Sequence, residues 1–223
     1  MALILCVETA TRSCSVALAK DGNLLQFMEE VSEQYSHSEQ LTLFIESLIK
    51  EQGIALSDLD AIAVSKGPGS YTGLRIGVST AKGLCYALNK PLIGISTLEA
   101  MASGMEKQCP NKVYCPMLDA RRLEVYTALF QAGKQLTDIE AHIVETDSFS
   151  KILAKEEVFF FGDGSDKCQG LITHANANFI TDVYPSAKDM VDLAENAFVQ
   201  QQFENVAYFE PYYLKDFVAG VKK

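Results

Sequence analysis

The stretch of sequence richest in chemical content is Lys66-Gly67-Pro68-Gly69-Ser70-Tyr71-Thr72-Gly73. A strand that empties into Gly-Pro-Gly and then a Ser/Thr-capped helix aims backbone N–H groups outward from a positive helix end. Gly67, Gly69, Ser70 and Thr72 are the positions that would hold an anion there. Residues 67–74 lack the closing Gly-Lys-Ser/Thr of a Walker loop, and no lysine is placed to reach a phosphate from the loop itself. The alternative is a tight strand-to-helix corner whose glycines permit close packing.

Other chemistry is thinly supported. His37, His142 and His174 form no HxxxH, HExxH or Cys/His pattern, so a zinc or iron site has no ligand set and each reads as a surface or capping histidine. A Ser-His-Asp triad is formally available in any chain of this length, but no GxSxG elbow supports one. Asp119-Ala120-Arg121-Arg122 is either a polar turn or an exposed loop that meets a partner. The cysteines at 6, 14, 85, 109, 115 and 168 contain no CxxC pair, which fits buried thiols in a reducing, cytosolic compartment.

The elements that carry these residues follow from periodicity. Apolar runs at 3–7 and 14–19, the Asp21-Gly22 turn and a return over 24–31 predict a meander of three strands. Ser36 or Ser38 caps a helix in which Leu41, Phe44, Ile45, Leu48 and Ile49 recur at helical steps up to Gly53. A strand over 60–65, a helix to about residue 88, a strand over 92–95 and a helix over 97–105 complete the first half. A second series follows, with strands expected at 113–118, 123–130, 142–145, 158–161 and 179–181 and helices at 147–154, 166–173 and 186–201. The helix after the loop carries Gly73, Gly77 and Ala81 at steps of four. Glycine inside a helix costs about 1 kcal/mol relative to alanine, so another backbone must approach closely, either from the same chain's sheet or from a second chain.

With 223 residues, 19 Lys+Arg and 29 Asp+Glu, the chain carries a net charge of −10. This argues against autonomous binding to nucleic acid, whose affinity comes from Lys and Arg displacing counterions. No apolar run approaches membrane-spanning length, and the opening apolar stretch is too short and lacks the basic flank of a signal peptide. A soluble protein with no membrane partner is expected.

Ile4-Leu5-Cys6-Val7-Glu8-Thr9-Ala10, the long run Gly67-Pro68-Gly69-Ser70-Tyr71-Thr72-Gly73-Leu74-Arg75-Ile76-Gly77-Val78-Ser79-Thr80-Ala81-Lys82-Gly83-Leu84, then 91–100 and a closing Pro211-Tyr212-Tyr213-Leu214-Lys215 resemble the bacterial TsaB (YeaZ) family. The resemblance is dense in the first half and loose in the second. It implies an α/β fold of two RNase H-like lobes of the actin/sugar-kinase (ASKHA) superfamily, residues 1–106 and 107–223, the second reduced. It also implies a cytoplasmic, non-catalytic scaffold in the formation of N6-threonylcarbamoyladenosine on tRNA, beside a catalytic paralogue, TsaD, and an ATPase, TsaE. Contact with tRNA would run only through the complex, and no cofactor is expected.

The paralogue's His-Met-Glu-Gly-His metal motif corresponds here to Thr97-Leu98-Glu99-Ala100-Met101, where both ligand positions hold poor donors for iron or zinc. Glu8 stands where the family more often has Asp. The broad apolar face of the first helix (Leu41, Phe44, Ile45, Leu48) and the small-residue face of the second (Gly73, Gly77, Ala81) are then expected to pair with the paralogue, or with a second copy in its absence. The alternative functions are a stand-alone metallopeptidase-like or ATP-using enzyme of the same fold and a plain dimeric structural protein.

Overall fold

The computed structural model describes residues 2–32 and 37–215. β1 (Leu3–Glu8), β2 (Ser13–Lys20) and β3 (Asn23–Val31) form the expected antiparallel meander, turned at Asp21 and Gly22, which have φ of 52° and 73°. α1 (His37–Glu51), β4 (Ala61–Gly67), α2 (Tyr71–Leu88) and β5 (Leu92–Ser96) follow. The sheet order is β3-β2-β1-β4-β5, with β4 parallel to both β1 and β5. Of the two proposed caps for α1, Ser36 lies outside the described residues and Ser38 falls inside the first turn.

Alternation along the strands explains the layers. Leu5, Val7, Val16, Leu18, Ile62 and Val64 face one way and are covered by Leu41, Ile45 and Leu48 of α1 and by Val78, Ala81 and Cys85 of α2. Removing an aliphatic side chain of this kind from water contributes about 2 kcal/mol. The opposite face is lined by small residues, Cys6, Ala17, Ala19, Ala61 and Ala63. Its shallow relief lets a helix carrying Ala194 and Ala197 lie close against the strands.

α3 (Thr97–Gln108) sits between the sheets: Ala100 joins the core of the first, while Leu98, Met101 and Met105 pack on Tyr114, Phe130 and Phe161 of the second. That second sheet contains β6 (Val113–Asp119), β7 (Glu124–Thr127), β8 (Phe130–Gln131), β9 (Lys134–Gln135) and β10 (Glu140–Ile143). After the single turn of α4 (Ser150–Leu153) come β11 (Val158–Phe161) and β12 (Ala177–Ile180), and α5 (Val191–Val199) closes the series. Its main path runs β10-β7-β6-β11-β12, and it too mixes parallel and antiparallel pairs.

Several expectations for the second half need correction. The strand expected over 123–130 breaks into β7 and β8, because the Leu129 amide is taken by Thr137 Oγ1 at 2.9 Å, outside any ladder. The helix expected over 166–173 is a 3₁₀ turn, Asp166–Cys168, and that over 147–154 is reduced to α4. Packing also runs across position 106/107. The 3₁₀ turn Ala187–Met190 and α5 return to the first sheet, where Ala187, Met190, Val191 and Ala194 are buried against Ile4, Cys6 and Ile93. The segment beyond α5 stays there as well, with Glu204 bridging to Leu92 and Lys82 Nζ donating to the carbonyls of Ala207 at 3.3 Å and Phe209 at 2.9 Å.

Candidate functional site

Between the two sheets lies a cavity of about 430 Å³, walled by the turn after β1, the loop after β4, the end of β6 and the C-terminal segment at 212–215. The loop is shaped by contacts within the chain. Gly67 has a φ of 106°, and a Cβ there would sit 2.8 Å from the Tyr212 carbonyl oxygen; at Gly69 it would sit 2.4 Å from that of Ala10. The Ser70 amide donates to the Ala10 carbonyl at 2.6 Å, and its hydroxyl accepts from Gly73 N at 3.3 Å as the cap of α2. Gly67 and Gly69 thus serve close packing and Ser70 serves the cap, while Gly69, Ser70 and Thr72 also border the cavity. The opposite wall mixes signs. Asp163, whose carboxyl burial pushes up, accepts from Asp119 N at 3.0 Å. Lys167 is engaged by Asp119, and Lys215 by Glu124. Arg121, at a φ of 73°, turns into this wall from the Asp119-Ala120-Arg121-Arg122 corner.

The residues expected to form an interface do not share one open face. Leu41, Leu48 and Ala81 are fully buried in the chain's own core and Ile45 almost so, while Phe44 is half-buried against that core. At Gly73 a Cβ would meet the Thr9 carbonyl oxygen at 2.1 Å, and at Gly77 it would meet Thr9 Oγ1 at 2.2 Å. The close approach that these glycines permit is that of the turn after β1, and no room is left for a second chain's helix. Small residues of α2 with space above them include Gly83, with nothing among the described residues within 4 Å of its Cβ position, and the exposed Ala87. With Thr80 and Leu84 they form one stripe at helical spacing. Thr80 and Leu84 border a second groove, also about 430 Å³, floored by Ile45, Ile49, Ile54 and Leu56 between α1 and α2.

Thr97 and Met101 lie in the core at 0% and 2% exposure. Among the described residues no group of three or more His, Cys, Asp or Glu is placed to hold a metal ion, and all six cysteines are free thiols. His37, read from sequence as a surface or capping residue, is buried, with Nε2 2.6 Å from the Thr11 carbonyl oxygen. It braces the same turn that fills the space beside Gly73. Glu8 is the site residue that sequence reasoning undervalued. Fully buried at the end of β1, it accepts through Oε1 from Ala10 N at 2.6 Å and Ser65 Oγ at 2.8 Å, while its Oε2 has no hydrogen-bond partner among the described residues. Burial raises its carboxyl to about 7, with a smaller contribution in the same direction from the charge of Asp189. An acid ending an otherwise apolar strand was the available signal.

Two mixed sheets enclosing a cleft, with a Gly-Pro-Gly corner packed against the first turn and no metal-ligand cluster among the described residues, define an α/β protein whose strand-loop-helix corner serves the architecture first. Residues 30–223 match the family model described as TsaD: tRNA N6-adenosine threonylcarbamoyltransferase. The chain is 30% identical over 98% of its length to the tRNA threonylcarbamoyladenosine biosynthesis protein TsaB of Escherichia coli (strain K12), covering 97% of that protein. It is 28% identical to the protein of the same name from Haemophilus influenzae, with 98% and 96% of the two chains covered. The solved structure of YeaZ from Pseudomonas aeruginosa is similar with a TM-score of 0.85 and 28% identity, over 96% of this chain and 100% of that one. The chain belongs to the TsaB (YeaZ) family.

Proposed function

We propose that this chain is a non-catalytic subunit required for N6-threonylcarbamoyladenosine formation on tRNA, pairing with the catalytic paralogue TsaD and served by the ATPase TsaE. Family membership supports the pathway. The observation that carries the non-catalytic role is the burial of Thr97 and Met101 in the hydrophobic core at the positions corresponding to the paralogue's metal ligands. The order β3-β2-β1-β4-β5, with a helix-covered second sheet of shorter strands, supports the finer reading of two RNase H-like lobes of the ASKHA superfamily, the second reduced. The apolar groove between α1 and α2, together with the open stripe Thr80-Gly83-Leu84-Ala87, supports these two helices as the pairing surface. A second copy would occupy it when the paralogue is absent. No helix among the described residues is long and apolar enough to cross a membrane, and the free thiols fit a cytoplasmic site.

Depletion of the chain in its own cell, with nucleoside analysis of bulk tRNA, tests the role. Threonylcarbamoyladenosine is expected to fall, and unchanged levels would contradict the reading. The isolated chain, at a net charge of −10, is expected to bind tRNA weakly at physiological salt and to contact it only through the complex.

A further inference from the structure

Three side chains at the edge of the second sheet form a hydrogen-bonded relay that no sequence motif announces. Glu140 and His142 stand two apart on the edge strand β10 and so share a face, with Glu140 Oε1 3.0 Å from His142 Nδ1. Ser148, in the turn between β10 and α4, places Oγ 2.9 Å from His142 Nε2. The Glu140 carboxylate can only accept, so Nδ1 carries the proton. In the neutral imidazole Nε2 is then an acceptor, and the Ser148 hydroxyl must donate to it. The Glu145 amide donates to Ser148 Oγ at 2.9 Å, which holds the hydroxyl with its proton toward the ring.

The imidazole is also braced from the core side. Its centroid is 5.1 Å from that of Phe149, which meets Phe160 edge-on at 5.4 Å, and Phe160 stacks on Phe179 at 5.1 Å. Phe149 has a φ of 61°. The His142 and Glu140 side chains are 28% and 59% exposed, so a small reagent can reach the relay from solvent.

We propose that Ser148 is an activated surface nucleophile that takes up small activated acyl groups, with His142 as its general base and Glu140 as the residue that orients the base. In the step, Ser148 Oγ bonds to the acyl carbon and its proton passes to His142 Nε2. The bond from the acyl carbon to the leaving oxygen breaks, and the leaving group departs with the electron pair. The imidazolium then releases its proton to water. This activity is separate from the subunit role and does not rest on it.

The test uses the full chain and p-nitrophenyl acetate, following nitrophenolate release and mapping the acetyl group by peptide mass spectrometry. One acetyl per chain at Ser148 is expected. Ser148→Ala should abolish the label at that site, and His142→Gln should slow acylation at least tenfold. Glu140→Gln, at the most exposed of the three positions, should slow it less than His142→Gln does while leaving the label at Ser148, a graded loss that a merely structural role would not produce. Acetylation confined to amines, or Ser148 labelled in His142→Gln at the rate of the unaltered chain, overturns the proposal.

Discussion

Thr9 Oγ1 lies 2.2 Å from the point that a Cβ on Gly77 would occupy, and the same hydroxyl donates to the Gly73 carbonyl at 2.8 Å. Two glycines of α2 and one threonine of the turn after β1 therefore form a single internal contact. Gly77→Ala is expected to lower stability by about 2–3 kcal/mol through overpacking. In Thr9→Ala the nearest atom would be the Cβ of residue 9, at 3.4 Å. The double variant should accordingly recover part of the loss, so the two effects will not add. Chemical denaturation of the four proteins checks this, and simple additivity would refute the contact.

Gly83 gives the complementary test, because its Cβ position is open. Gly83→Ala should stabilise the chain by about 1 kcal/mol, the ordinary helix-propensity gain. Gly83→Arg should leave the circular dichroism spectrum intact while weakening co-elution with the paralogue at least tenfold. A change at the exposed Ala175 on the second half should leave both the spectrum and the co-elution unchanged. Wild-type pairing by folded Gly83→Arg would remove α2 from the interface.

Glu8 should make stability fall as pH rises. Its carboxyl titrates near 7 in the folded chain, raised by burial from an ordinary value of 4.5, so the folded state holds the proton longer than the unfolded state. The contribution is complete below the unfolded value and is lost between about 4.5 and 7, a change of about 3 kcal/mol at roughly 1.4 kcal/mol per pH unit. Asp189, raised to about 6 mainly by burial, acts in the same direction at lower pH. Glu8→Gln should flatten this dependence and be more stable than the unaltered chain at pH 8. Urea denaturation at pH 5 and pH 8 decides, and an unchanged slope in the variant would reject Glu8 as its source.

Lys82 is expected to tether the segment after α5 through the two carbonyls that its ammonium meets. Lys82→Met removes hydrogen bonds to a charged group worth about 1.5–3 kcal/mol each. Amide exchange over 203–215 should quicken, including at the Tyr212 amide, which donates to the Lys66 carbonyl at 2.6 Å. Unchanged protection there would show that Arg75, Tyr71 and Tyr213, whose rings and guanidinium stack at this end, hold the segment without it.

The apolar run of β1, the Asp21-Gly22 turn, the helical repeat of α1 and the Ser70 cap of α2 were all determined locally. Each depends on neighbouring residues whose periodicity or turn chemistry admits one solution, and the long Gly67–Leu84 motif carried the family. What covers an apolar or small-residue face is different, because the covering atoms come from distant parts of the chain. Periodicity marked Leu41, Leu48, Gly73 and Gly77 as contact residues, but only the pairing of β1 with β4 brought Thr9 over the glycines and made that contact internal. Likewise α5 reads as an ordinary helix of the second half, and it was the alanine-lined face of the first sheet that drew it back across the cleft. The Ser148-His142-Glu140 relay depends on where a turn swings a hydroxyl relative to an edge strand. That distance is a property of the folded backbone, and no spacing in the sequence encodes it.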